Sequence, residues 1–172
     1  MKRLKSRLIF SCAILATLGI TFVLYRINQK PVTLAPGAYA RFDDFDFTAT
    51  SVTPVSQIGS LVSPPASKFY KVTVRVKNSA RRVSFTFDPS IVRASIDGLP
   101  LTRDDSAEED LKIAKPAYQL AAGGQSDYTL VFVGPEDAEQ MTVSFAFGGA
   151  FGEFADAVLL GKSQVVLDMA GA

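Results

Sequence analysis

Apolar and polar residues alternate along several short stretches of this chain, most clearly from Lys68 to Asn78. Apolar side chains occupy every second position there: Tyr70, Val72, Val74 and Val76. Polar side chains fill the positions between them: Lys71, Thr73, Arg75 and Lys77. A period of two predicts a β-strand with one buried and one solvent-facing side, as in antiparallel sheets.

Shorter stretches repeat this pattern, and turn residues separate them. Asp97-Gly98 is suited to a two-residue hairpin turn, and Pro100 places the returning strand at an edge. We therefore predict an all-β fold, an immunoglobulin-like antiparallel β-sandwich. Its core is expected to contain Phe45, Phe47, Tyr70, Val72, Val74, Val83, Phe85, Leu130, Phe132, Val143 and Phe145.

Three further segments complete the prediction for this domain. Residues 103–115 are the one helical candidate, because Ser106 and Glu109 have capping-box spacing, although a charged loop is the alternative. Residues 54–67 contain a Pro-Pro pair and predict a loop. Near the end, residues 157–160 and 164–167 are predicted to pair as a hairpin.

Residues 8–25 form an uncharged apolar run at the start of the chain. Eighteen helical residues span about 27 Å, close to the hydrocarbon thickness of a bilayer. Arg26 and Lys30 follow instead of a small-x-small cleavage site, which favours a retained single-pass signal-anchor over a cleaved signal. Ala13, Thr17 and Thr21 have the four-residue spacing of helix-packing positions.

Charge around this run predicts the orientation. Four basic residues precede it, which places the N-terminus in the cytoplasm and the domain in the periplasm or outside the cell. The expected boundaries are a basic tail at 1–7, a bilayer-spanning helix at 8–25, a linker at 26–40 and the sandwich at 41–172.

Composition narrows the chemistry. The chain has no histidine, which excludes Ser-His-Asp and Cys-His mechanisms, and its one cysteine, Cys12, lies in the apolar run. After Lys30 the chain carries twelve basic and seventeen acidic residues, a net charge of −5, which disfavours nucleic-acid binding. We expect no catalytic activity, no cofactor and no metal site.

The strand "KFYKVTVRVKN", the Asp-Gly hairpin and the stretch "YQLAAGGQSDYTLVFVGPED" together resemble a family. It is the family of bacterial telokin-like, immunoglobulin-like domains of unknown function in lipoproteins and membrane-anchored extracytoplasmic proteins. The resemblance spans roughly residues 42–147. It departs at Ala122, where the family usually carries proline before the turn glycine. The resemblance implies a tethered sandwich used for binding or assembly, and it supplies no catalytic residues.

Three groups of residues are candidate partner-binding sites. One is the acidic segment Asp104, Asp105, Glu108, Glu109 and Asp110, whose alternative is a solvated helix start. The second is the basic stripe Lys71, Arg75 and Lys77, whose alternative is the solvent face of a strand. The third is the pair Phe151 and Phe154, which could instead cover an end of the sandwich.

Two other motifs are interpreted structurally. Gly161-Lys162-Ser163 lacks the glycine of a phosphate-binding loop, because Asp156 stands at that position. Asp44 and Asp46 are expected on the solvent face. The leading functional hypothesis is a membrane-tethered accessory or assembly subunit of a membrane protein complex, and the alternative is a periplasmic sensor or a domain that binds a small ligand or a peptide.

Overall fold

A computed structural model describes residues 15–25, 30–111, 119–146 and 163–169. Residues 15–25 form helix α1, a second helix α2 spans Asp105–Asp110, and a 3₁₀ turn spans Pro89–Ile91. The strands are β1 (Val32–Leu34), β2 (Ala40–Phe42), β3 (Phe45–Val55), β4 (Gln57–Ile58), β5 (Leu61–Val62), β6 (Ser67–Asn78), β7 (Phe85–Thr86), β8 (Val92–Ile96), β9 (Leu99–Pro100), β10 (Thr102–Arg103), β11 (Gln119–Leu120), β12 (Gln125–Pro135), β13 (Gln140–Phe145) and β14 (Ser163–Asp168).

Two five-stranded sheets form a β-sandwich, which confirms the predicted fold class at that level. The first sheet has the order β1-β14-β13-β8-β9, and the second has the order β10-β12-β6-β3-β2. Strand β6 lies at the centre of the second sheet and pairs antiparallel with both β3 and β12 over nearly its whole length. Two short two-stranded pairs, the hairpin β4-β5 and the non-local pair β7-β11, complete the strand pairing of the described residues.

An aromatic cluster fills the space between the sheets. Phe47 is fully buried and packs against Phe145 of the other sheet, with ring centroids 5.7 Å apart. Most of the predicted core is confirmed as buried: Phe47, Tyr70, Val72, Val74, Leu130, Phe132, Val143 and Phe145. Phe45 and Phe85 are only half-buried and stack on each other at 4.2 Å.

Val83 was predicted in the core, and this prediction is wrong because the side chain is 60% exposed. It lies before β7, at a position that is not part of a strand, so no strand pairing keeps its side chain on the buried side. The predicted loop at 54–67 is also too simple, because it contains the hairpin of β4 and β5.

The hairpin of β8 and β9 matches its prediction. Asp97 and Gly98 have φ values of 51° and 78°, as a two-residue turn with two left-handed positions requires. Strand β9 lies at the edge of its sheet, which agrees with the missing backbone donor of Pro100.

The ends of the sandwich differ from the predicted boundaries. Strand β1 lies inside the predicted linker 26–40 and pairs parallel with β14, so the sandwich begins at Val32. Residues 164–167 were predicted to pair with 157–160. They pair instead with β13 and β1, whereas 157–160 lie outside the described residues.

Asn78 closes one end of β6 and is fully buried. Its amide nitrogen lies 2.8 Å from the carbonyl oxygen of Val83, 3.2 Å from that of Leu120 and 3.1 Å from that of Ala121. Its side-chain oxygen accepts a hydrogen bond from the backbone N–H of Ala80 at 3.0 Å. One side chain therefore joins three backbone segments.

Helix α1 covers the described part of the predicted anchor, residues 15–25. Among the residues that the structure describes, no helix combines the length and apolar character needed to cross a membrane. Residues 8–14 of the predicted anchor, with Ala13, lie outside that part of the chain. Thr17 and Thr21 lie one turn apart in α1, and the Thr21 hydroxyl donates to the Thr17 carbonyl at 2.9 Å.

Candidate functional site

The predicted basic stripe lies on the outer face of the second sheet. The antiparallel register aligns it in cross-strand rows, in which Lys77 lies between Asp46 and Gln125 and Arg75 lies beside Asp127. The Arg75 guanidinium donates to both oxygens of Asp127 at 2.7 and 2.8 Å, and this holds the pKa of the Asp127 carboxyl below its ordinary value. Acidic neighbours thus offset much of the charge of this stripe.

Asp46 departs from its predicted exposure. Its parity points outward, yet it is only 3% exposed because Arg41 and Ser79 contact its carboxylate. Arg41 Nε donates at 2.8 Å and the Ser79 hydroxyl donates at 2.8 Å. The hydrogen bond from Arg41 lowers the pKa of Asp46, so the carboxylate stays ionised and links β2 to the end of β6. Asp44 is exposed, as predicted.

The acidic segment forms helix α2, but the predicted cap is wrong. Asp104, not Ser106, is the N-cap, and its carboxylate accepts from the backbone N–H of Ala107 at 2.9 Å. Ala107 is fully buried and packs in a small apolar cluster with Phe69 and Val131 on the outer face of the second sheet. The helix therefore covers one end of that face.

The other carboxylates of this segment also hold the fold. Glu108 accepts from the backbone N–H of Val131 at 3.0 Å and lies 3.4 Å from Arg103 Nε. Burial raises the pKa of Glu108, and the Val131 hydrogen bond and the Arg103 charge act in the opposite direction. Asp110 accepts from the backbone N–H and hydroxyl of Ser60 at 2.9 and 3.0 Å.

These contacts change the interpretation of the acidic segment. Asp105 pairs with Arg103 through a 2.7 Å hydrogen bond, so Asp104, Asp105, Glu108 and Asp110 all contact groups of this chain, and Glu109 is exposed. Across residues 15–25, 30–111, 119–146 and 163–169, no three His, Cys, Asp or Glu side chains are grouped so as to hold a metal ion. The segment serves mainly to dock α2 and the β4-β5 hairpin.

The sequence did not indicate a third feature, which we call the end cleft. It lies at the end of the sandwich where the β8-β9 turn, the β12-β13 turn and the end of β14 meet. Three adjoining hollows of about 300, 410 and 400 Å³ make it up. The hollow of about 300 Å³ shares Ile96, Asp97 and Pro135 with the hollow of about 400 Å³. It shares Ala138, Glu139 and Gln140 with the hollow of about 410 Å³.

Two neighbouring surfaces of the end cleft differ in chemistry. One hollow is mostly apolar, with Leu99 exposed by 69% at its edge. The others carry carboxylates from two turns and from the end of β14, namely Asp97, Asp137, Glu139 and Asp168. Volumes of this size are typical of sites for small ligands or for a few side chains of a partner. An apolar surface edged by carboxylates is suited to binding.

Sequence reasoning missed this cleft because its residues are far apart along the chain. The dipeptide Asp97-Gly98 and the stretch 134–137 are recognisable as acidic turns. Only strand pairing brings them to one end. Of the predicted sites, Lys71, Arg75 and Lys77 share the outer face with α2, and none of them lines the cleft. Phe151 and Phe154 lie outside the described residues.

No protein-family model and no curated protein matches the chain. Solved bacterial structures do match. The Bacillus subtilis protein ycdA, described as a candidate lipoprotein, has a TM-score of 0.56 and 15% identity over 76% of this chain and 38% of its own. The yjhA protein of Bacillus subtilis has a TM-score of 0.53 and 15% identity over 78% and 98% of the two chains.

A conserved hypothetical protein of Bacillus anthracis has a TM-score of 0.52 and 14% identity over 63% of this chain and 87% of its own. This chain thus spans little more than a third of ycdA but most of the other two proteins. At these identities the likeness shows a shared β-sandwich fold alone.

Proposed function

We propose that this protein is a non-catalytic binding module, an accessory or assembly subunit that a helix tethers to a bacterial membrane outside the cytoplasm. The end cleft is the observation that carries the proposal. It lies where loops of a sandwich converge, and loops on a rigid scaffold are common binding sites. Its apolar hollow leaves Leu99 69% exposed, which a partner could cover.

The tether rests on the N-terminal segment. Residues 15–25 are helical and carry no charge, and their large apolar side chains, such as Leu15 and Ile20, are 54–68% exposed. A helix that is apolar on all sides needs an apolar environment, which a bilayer supplies. The proposed span 8–25 has basic residues before it, which by the positive-inside rule supports a sandwich outside the cytoplasm. The resemblance to telokin-like domains and the likeness to ycdA agree with such a location.

The buried and half-buried carboxylates outside the end cleft have structural roles. Acid-base catalysis needs acidic groups that are free to reach a substrate. Asp46, Glu108 and Asp110 instead hold Arg41, the Val131 N–H and Ser60 of this chain. The shifted pKa values of Asp46 and Glu108 are explained by these same contacts and by burial. Structural ion pairs shift pKa values as catalytic sites do, so the shifts need no reaction to account for them.

A periplasmic sensor or small-ligand-binding domain is the second candidate. The volumes of the three hollows, about 300 to 410 Å³, favour it, because small-molecule sites begin near this size. A screen of cationic metabolites by thermal shift would test it. A specific ligand without any protein partner would favour the sensor over the assembly subunit.

The subunit proposal is tested in native membranes. We expect an affinity-tagged full chain, cross-linked in cells and extracted in mild detergent, to recover one protein in a constant ratio. Mass spectrometry of the purified chain should show residues 1–30 still attached. A monomer under several detergents would contradict the assembly role. A mature N-terminus between Val32 and Phe42 would contradict the tether.

Orientation is tested with thiol labelling. In a Cys12→Ala background, Val62→Cys places a thiol at a 70% exposed position of β5, and Ser6→Cys places one before the apolar run. A membrane-impermeant maleimide added to spheroplasts should label the first variant and not the second. The reverse pattern would overturn the proposed location.

A further inference from the structure

The apolar part of the end cleft is a groove of about 400 Å³ between the edges of the two sheets. Strand β9 ends the first sheet and β10 ends the second, and the chain crosses between them at Leu101. Apolar residues form much of the groove: Ile96, Leu99, Pro100, Leu101 and Val133. Leu99 is 69% exposed, although a leucine gains free energy when it is covered.

Gly134 gives the groove its floor. A Cβ at this position would lie 3.1 Å from Ile96 Cδ1, Leu101 Cδ2 and Tyr70 Cε2, closer than an ordinary contact. These side chains therefore pack directly over the backbone of β12. The absence of a side chain at Gly134 lets Ile96 and Leu101 join into one continuous apolar surface.

Carboxylates border this groove on the side of the other two hollows. Asp97 lines both the groove and the adjoining hollow, which also carries Asp137 and Glu139, and Asp168 lies in the third hollow. Among the described residues that line the three hollows, none is lysine or arginine. Burial raises the pKa of Tyr70, and the charges of Asp137 and Glu136 raise it further.

We propose that the end cleft binds a basic, extended segment of a partner protein, with an apolar side chain in the groove and lysine or arginine side chains on the carboxylates. The proposal rests on the binding function proposed above and names its partner class. Charge complementarity selects the segment, because the four carboxylates that line the cleft attract positive charge and repel acidic segments. The exposed Leu99 and its neighbours supply the apolar contact.

The test uses the full chain in detergent micelles and a fluorescein-labelled Lys-Leu-Lys-Leu-Lys peptide as the probe, followed by fluorescence anisotropy. The variant Asp97→Asn, Asp137→Asn, Glu139→Gln removes three charges. Asparagine tolerates the left-handed φ of Asp97, so the turn is retained. We expect binding about tenfold weaker in the triple variant, and weaker in wild type at high salt.

The controls are Asp43→Asn with Asp44→Asn in the β2-β3 turn and, to match its two removed charges, Asp97→Asn with Asp137→Asn in the cleft. The β2-β3 turn lies at the opposite end of the second sheet, and Asp43 has the same left-handed φ, 56°, as a turn aspartate. The variant in the β2-β3 turn should bind the peptide as wild type does. Equal weakening in both double variants would show a general charge effect and overturn the proposal, as would equal binding of a Glu-Leu-Glu-Leu-Glu peptide.

Two further outcomes separate this inference from the proposed function. A partner that cross-links equally to wild type and to the triple variant would overturn the cleft as the docking site, whereas the binding module would stand. Self-association that the triple variant abolishes, seen by sedimentation without added peptide, would assign the cleft to a second copy of this chain and overturn the basic partner. Loss of the partner in the triple variant alone supports the proposal.

Discussion

Replacing Asn78 with alanine should cost this small domain a large share of its stability. Asn78 is fully buried, and its amide nitrogen lies within 3.2 Å of three backbone carbonyls, those of Val83, Leu120 and Ala121. Its oxygen accepts from the N–H of Ala80. Alanine makes none of these hydrogen bonds, so the three carbonyls and the N–H of Ala80 lose the Asn78 side chain as a partner.

The expected loss of stability follows from the number of protons on the side-chain amide of Asn78. The amide has two protons for three carbonyls, so at most two donated bonds and one accepted bond are lost in full. Each buried bond contributes about 1 kcal/mol net, and an unsatisfied buried partner costs about 1–3 kcal/mol. We expect Asn78→Ala to lower the free energy of unfolding by about 3 kcal/mol.

Urea unfolding of the full chain in detergent micelles, followed by circular dichroism, measures this loss. The matched control is Gln119→Ala, since Gln119 is exposed and its amide reaches, among the described residues, only Ser84, at 3.4 Å. We expect the control to change stability by less than about 0.5 kcal/mol. Equal, small losses in both variants would refute the role assigned to Asn78.

The variant Asn78→Asp tests the direction in which stability changes with pH. The carbonyls of Val83, Leu120 and Ala121 would surround the introduced carboxyl and favour its protonated form, so its folded-state pKa would lie above the unfolded value. Such a group stabilises below the unfolded pKa and loses that contribution as pH rises through the folded one. We expect this variant to be markedly less stable at about pH 7 than at about pH 4, relative to wild type.

Two further predictions concern the outer face. Burial raises the pKa of Glu108, so its contribution is present below the unfolded value and is lost as pH rises. Compared with that of Glu108→Gln, the urea midpoint of the wild type should therefore be lower at about pH 7 than at about pH 4. The opposite trend would contradict the raised pKa of Glu108. Gly59→Ala should destabilise by about 1–2 kcal/mol, because Gly59 has a φ of 56° and a Cβ would lie 2.5 Å from Asp110 Oδ2. An unchanged midpoint would contradict the contact between the β4-β5 hairpin and α2.

Strand positions followed from the sequence wherever the alternation was long. The predicted stretch 68–78 matches β6, Ser67–Asn78, within one residue, and its inward and outward residues are as predicted. The Asp97-Gly98 turn was also identifiable, because few residues accept two successive left-handed positions. Both signals are local, since they depend on the backbone geometry of neighbouring residues.

The failures share a different cause. Val83 continues an alternating pattern, yet it lies before β7 and is exposed. Asp46 is outward by parity, yet it is buried because Arg41 and Ser79 cover its carboxylate. Asp104, not Ser106, is the N-cap of α2, because the helix begins where Ala107 packs on the sheet. In each case contacts that the alternation or the capping pattern does not encode determined the outcome.

The candidate site shows the same division. Charged residues near one another in sequence drew attention to the acidic segment, and the structure assigns most of them to docking α2 and the β4-β5 hairpin. The end cleft draws on residues from 66 to 169, and no local pattern connects them. Its carboxylates were visible only as members of separate turns.

The sequence by itself determined the alternating strands, the tight hairpin, the apolar N-terminal segment and the exclusion of histidine-dependent chemistry. These depend on the residue types present and on backbone geometry over a few residues. The tertiary structure alone decided that β14 pairs with β13 and β1 and that Asp46 is buried. It also decided that Gly134 lies in an apolar groove beside the carboxylates of the end cleft. The reason is physical, because strand pairing and burial depend on which distant segments meet, and a strand's own residues leave several partners open.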